Sequence, residues 1–143
     1  MFLEWLLDRR RARVAAVVWG VFLFALTSWP SPPEIPGVTS IPNFDKFCHT
    51  VLYGVMGFLL YLAIRWPERP KSTLLAACFI GGALAVFGTL DEIHQIWIPG
   101  RSMEGLDAVA DATAGFFGGL VGALVARRLT PFEGSRPAVS PGS

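Results

Sequence analysis

The sequence predicts an all-α polytopic membrane protein, a bundle of four transmembrane helices, on three observations. Just over half of its 143 residues are apolar and only 16% are charged, against roughly 25% charged in soluble domains. The charges come in clumps separated by long uncharged stretches, whereas a soluble fold spreads them over every exposed face. Those stretches reach the length that crosses a hydrocarbon core, since about 20 helical residues cover roughly 30 Å. The chain length points to one domain in three parts: a basic N-terminal segment at 1–13, a transmembrane region at 14–128 and a tail at 129–143.

The first apolar segment, about 14–29, is the shortest. Including Ala12 and Arg13 lengthens it, with Arg13 reaching back to the interface along its methylenes. A basic run before an apolar stretch also matches a secretory signal. No A-x-A-like pattern follows it, however, and Trp29-Pro30 fits cleavage poorly, so the segment reads as an uncleaved helix. The segments at about 44–64, 72–93 and 106–126 each have spanning length. Between the first two, Trp29–Asn43 carries five prolines (30, 32, 33, 36 and 42), which break helix and favour a stiff extended connection. Arg65–Lys71 is a short turn with two more prolines, and Pro99-Gly100 marks a turn before the last helix. The tail is rich in Pro, Ser and Gly, the composition of a disordered segment.

Orientation follows from the basic residues. Arg9, Arg10, Arg11, Arg13, Arg65, Arg69, Lys71, Arg127, Arg128 and Arg136 fall on one side of a four-pass arrangement, and only Lys46 and Arg101 on the other. Ten against two places both termini in the cytoplasm. The second helix then carries Asp45, Lys46, His49 and Tyr53 at its outer end. The third carries Asp91, Glu92, His94 and Gln95, and the fourth Asp107 and Asp111, with Arg101 in the outer loop. Asp45 and His49, Asp91 and Gln95, and Asp107 and Asp111 are each four apart, which puts each pair on one helical face. Any one acidic residue is explained by an interface or a helix N-terminus. The set is not: Asp91-Glu92 ends a helix, where the dipole disfavours anions, and Asp111 lies inside a span. Charge at membrane depth marks a functional site by default.

Gly115 with Gly119, and Gly118 with Gly122, form G-x-x-x-G patterns, and the third helix offers Ala77, Gly81, Gly82 and Gly88. Small residues let helices approach closely in lipid, so the third and fourth helices are expected to pack tightly. The tryptophans fall near interfaces as anchors. Two cysteines make no disulfide framework, and a formal net charge of +1 speaks against a nucleic-acid partner.

Asp45-Lys46-Phe47-Cys48-His49, with Tyr53-Gly54 and Gly57-Phe58 after it, resembles the first motif of the VanZ-like membrane proteins. Asp91-Glu92-Ile93-His94-Gln95 is similar to their D-E-x-x-Q motif, followed by Pro99-Gly100-Arg101. Asp107-Ala108-Val109-Ala110-Asp111, with Gly115 beyond, is similar to their D-x-x-x-N…G segment, with Asp111 where the family usually has Asn. The resemblance runs from about Asp45 to Gly122. It implies a bacterial multi-pass inner-membrane protein and, through the name-giving member, a link to resistance against the glycopeptide teicoplanin. It implies no particular reaction.

Three functions remain open. An enzyme acting on an envelope lipid or lipid-linked cell-wall precursor would use Asp45, His49, Asp91, Glu92 and Asp107 as catalytic groups. The same five supply the oxygen and imidazole ligands of a divalent metal ion. Lys46 and Arg101 would hold a phosphate or carboxylate, with Tyr53, Gln95 and Asp111 completing the substrate contacts. There is no P-loop, zinc-type Cys/His cluster or lipid-phosphatase pattern. A transporter or lipid-translocating protein would use the acidic groups as an ion or proton relay. A non-catalytic binding or assembly protein would use an ion-pair network of Lys46 and Arg101 with Asp91, Glu92 and Asp107 to shape a surface for a partner or glycopeptide.

Overall fold

The computed structural model describes residues 2–30, 44–64, 70–101, 103 and 105–129. The proline-rich connection at 31–43, the turn at 65–69 and the tail from 130 lie outside the described residues. Among the described residues there is no strand. The elements are α1 (Phe2–Leu6), α2 (Arg9–Thr27), α3 (Phe44–Ile64), α4 (Pro70–Gln95) and α5 (Gly105–Leu129). The helix expected at 44–64 has those ends. The other three begin earlier than the apolar segments, by one residue (Gly105) for α5 and furthest for α2, whose arginines join the helix: Asp8 accepts from Arg11 N at 3.0 Å and caps it.

Three helices are long and apolar enough to cross a membrane, within Lys46–Ile64, Thr73–Gln95 and Gly105–Leu129. α2 carries Arg9, Arg10, Arg11 and Arg13 in its first turns, which keeps it out of that set. It runs antiparallel to α3 nonetheless. Arg13 Nε donates to Ala63 O at 3.4 Å near one end, and Trp19 Nε1 donates to Leu52 O at 2.9 Å further along. Its outer face is apolar, with Val14, Val17, Val18 and Val21 all exposed. The outward faces of α4 and α5 are apolar too, with Leu75, Val86, Val109 and Leu124 exposed, while several of the buried residues are ionisable. This reverses the polarity of a soluble fold, as membrane spans require.

α5 lies between α3 and α4, parallel to the first and antiparallel to the second. Its glycines explain how close it comes. A Cβ on Gly57 would stand 2.8 Å from Gly115 Cα, and one on Gly118 would stand 2.9 Å from the Gly54 carbonyl carbon. The expected packing of α4 on α5 is present, with Gly81 against Phe116 and Ala112, and Gly119 against Ala77 and Ile80. The tightest backbone approach, however, is between α3 and α5. The sequence did not single out α3 as a partner of α5; Gly54 and Gly57 supply the small face that allows it.

Candidate functional site

The start of α3, the end of α4 and the start of α5 meet at one end of the helix array. The basic residues Arg13, Arg127 and Arg128 lie at the other end, where Arg127 Nη2 donates to Thr73 Oγ1. Within the polar end, His49, Asp91, Glu92, Gln95, Asp107 and Asp111 are buried, Glu92 and Asp111 almost completely at 1% and 0% exposure.

The four-residue spacing on α5 works as a pair of rungs to α3. Asp107 Oδ1 lies 3.3 Å from Lys46 Nζ, and one turn deeper Asp111 Oδ1 lies 3.1 Å from His49 Nδ1. Gly88 on α4 makes the deeper rung fit, since a Cβ there would come within 2.7 Å of Asp111 Oδ2. Tyr53, fully buried, stacks on His49 with ring centroids 6.0 Å apart and leans on Phe87. Its hydroxyl lies beside Asp111 without a well-aligned hydrogen bond and is within electrostatic reach of Asp91 and Glu92. Asp111 Oδ2 has no close donor, nor has Asp107 Oδ1 beyond its ion contact with Lys46.

Asp91 is differently placed. Its Oδ1 accepts from Thr27 Oγ1 of α2 at 2.9 Å and its Oδ2 from Gln95 Nε2 at 3.3 Å. The Thr27 hydroxyl also lies near the Leu23 and Phe24 carbonyls, but the charged acceptor makes the stronger bond. Asp91 therefore ties α2 to α4 through neutral donors. Thr27 was not legible as a site neighbour, because 64 positions separate it from Asp91 and no local pattern joins them.

Arg101 is turned away from the carboxylates. A run of tight turns after α4, ending at Gly100 with φ 82°, aims it at the C-terminus of α2. There Nη2 donates to Leu26 O at 3.0 Å and Nε to Trp29 O at 3.3 Å, where the helix dipole favours a cation. His94 stacks on Phe24, with centroids 5.1 Å apart. The Asp45 side chain lies outside the described residues. Of the ten residues singled out from the sequence, the structure thus brings Lys46, His49, Tyr53, Asp91, Glu92, Gln95, Asp107 and Asp111 together and sends Arg101 to α2.

No protein-family model, no curated protein and no solved structure matches the chain. The site's own chemistry carries the functional reading. Four buried carboxylates (Asp91, Glu92, Asp107 and Asp111) stand against one lysine and one imidazole among the described side chains. A carboxylate on Nδ1 orients the His49 ring as a base or a ligand. Lys46, with its side chain 26% exposed, presents positive charge at the edge. Beside that edge a groove of about 500 Å³ opens between α3 and α5, lined by Thr50, Gly54, Leu106, Val109, Thr113 and Phe117 among others. Thr50 is one turn from Lys46 and Leu106 adjoins Asp107, so the apolar groove begins where the polar cluster ends. It continues to Val121, about 22 Å along α5 at the usual helical rise.

Proposed function

We propose that this chain is a VanZ-like protein of the bacterial inner membrane that binds an envelope lipid, or a lipid-linked cell-wall component, by its headgroup at the cluster where α3, α4 and α5 meet. In this reading α2, α3, α4 and α5 all cross the bilayer, with both termini cytoplasmic and the cluster near the extracytoplasmic face. The separation of basic and acidic ends supports that orientation. The antiparallel path of α2 along α3 supports a fourth crossing, its arginines extending into the headgroup region.

One observation carries the lipid reading: a buried polar cluster and an apolar groove adjoin on the same pair of helices. Amphipathic molecules need both. A headgroup with a phosphate or carboxylate would meet Lys46, and one hydrocarbon chain would lie along α5 past Val109 and Thr113. Sites on proteins that take small molecules share this plan of an apolar enclosure with a few convergent polar groups.

The test uses the full chain in liposomes carrying a phospholipid with a photoreactive acyl chain. Cross-links are expected to concentrate on the 50–54 and 109–117 stretches and to fall at least fivefold in a Thr113→Trp variant that fills the groove. Labelling spread evenly over α2, α4 and α5 would mean ordinary annular lipid and would end the proposal. Cysteines introduced at either terminus should react only in inverted vesicles, and reaction from the outside would overturn the orientation.

A further inference from the structure

We infer that His49, Glu92 and Asp107 bind one divalent transition-metal ion, held from three different helices. One ligand atom from each residue lies within 4.8 Å of the others. Ligands on opposite sides of an ion bound at roughly 2.0–2.6 Å stand about 4–5 Å apart. The three groups therefore close around one ion by side-chain adjustment alone. α5 packs more closely on α3 and on α4 than any other pair of helices in the fold, and the three elements hold the trio.

The unsatisfied groups point the same way. The fully buried Tyr53 turns its hydroxyl toward Asp111 without forming a well-aligned hydrogen bond, Asp111 Oδ2 has no close donor, and Asp107 Oδ1 has only its 3.3 Å ion contact with Lys46. A cation satisfies Asp107 directly, and its coordinated water offers protons to Asp111 and an acceptor to Tyr53.

Asp111 sets which nitrogen binds. With Nδ1 held at 3.1 Å by Asp111, the imidazole keeps its proton there and presents the Nε2 lone pair, the outer-sphere arrangement usual for metal-bound histidine. One imidazole with two carboxylates favours Zn²⁺ or Mn²⁺ over Mg²⁺ or Ca²⁺, which take oxygen ligands almost exclusively. Three protein ligands leave a position for water or for an oxygen of an anionic headgroup. Lys46, now beside Asp107, has a partly exposed side chain that swings outward when the ion arrives.

The inference rests on reading the cluster as a ligand site, but its test needs no lipid. The full chain is purified in mild detergent, stripped with chelator and titrated separately with ZnCl₂ and MnCl₂. Expected is one equivalent per chain, with affinity reduced at least tenfold in His49→Gln, Glu92→Gln and Asp107→Asn and retained in His94→Gln, which removes the other imidazole. Absence of stoichiometric binding, or equal losses in all four variants, would overturn it. Should the isosteric variants fail to fold, the Mn²⁺ complex of the unaltered protein decides by electron spin-echo spectroscopy. Coupling to one imidazole nitrogen is expected, and its absence refutes the site. A negative metal result beside intact lipid cross-linking would remove the ion and leave the lipid reading standing.

Discussion

Replacing Gly57 by Ala tests whether α3 and α5 meet backbone to backbone. The new Cβ would stand 2.8 Å from Gly115 Cα, at least 0.6 Å short of the 3.4 Å where ordinary contact begins. The obstacle is main chain and cannot rotate away, so the helices must separate and Lys46–Asp107 and His49–Asp111 must lengthen with them. Overpacking of this kind costs typically about 1–3 kcal/mol. Ala gains up to about 1 kcal/mol in helix propensity over Gly, which leaves a net loss of up to about 2 kcal/mol. Gly82 provides the opposite case, because nothing lies within 4 Å of a Cβ built there. Gly82→Ala keeps the propensity gain alone and should stabilise by up to about 1 kcal/mol. Reversible unfolding in mixed micelles by increasing SDS fraction, followed by tryptophan fluorescence, measures both. Trp19 reports on the α2–α3 contact through its bond to Leu52 O. If Gly57→Ala unfolds at or above the SDS fraction of the unaltered protein, the close α3–α5 approach is wrong.

Gly88→Ala should push Asp111 off His49, since its Cβ would come within 2.7 Å of Asp111 Oδ2; ¹⁵N NMR of the imidazole should then lose the Nδ1-protonated pattern, and an unchanged spectrum would refute the packing argument. Thr27→Val keeps the shape but deprives Asp91 Oδ1 of its donor. It should cost about 1–3 kcal/mol in the same unfolding assay, with Thr27→Ser recovering most of it. Arg101→Gln should free the Leu26 and Trp29 carbonyls and loosen the last turn of α2 by about 1 kcal/mol. Hydrogen exchange at the Ser28 and Trp29 amides should accelerate about fivefold, and no change there would mean that Arg101 does not hold that helix end.

Much of the site could be read without coordinates because helix periodicity is local. Residues four apart share a face, so Asp107 and Asp111 had to point in one direction, and both reach α3. Asp91 and Gln95 likewise meet at 3.3 Å on one face of α4. The spacing could not say which partner each carboxylate would take. Glu92, adjacent to Asp91, faces His49 and Asp107, while Asp91 itself is committed to Thr27 on α2. One residue of chain turns a helical side chain by about 100°, and that rotation separates the proposed metal ligand from a strut. Arg101 was expected among the carboxylates because its charge fits them. The left-handed backbone at Gly100 and the carbonyls at the end of α2 offered it another partner.

The short α1 (Phe2–Leu6) was not expected, whereas the all-helical character, the approximate ends of the four long helices and the gathering of acidic groups at one end of three of them follow from the sequence by itself. All depend on composition and on contacts within a few residues, where hydrocarbon length and helical pitch leave little choice. The tertiary structure alone decided that Gly54 and Gly57 draw α3 onto α5, that Asp111 fits because Gly88 has no side chain, and that His49, Glu92 and Asp107 converge. α5 carries small residues on more than one face, so its sequence permits several neighbours and several rotations about its axis. Only the sum of contacts over all the helices selects one of them.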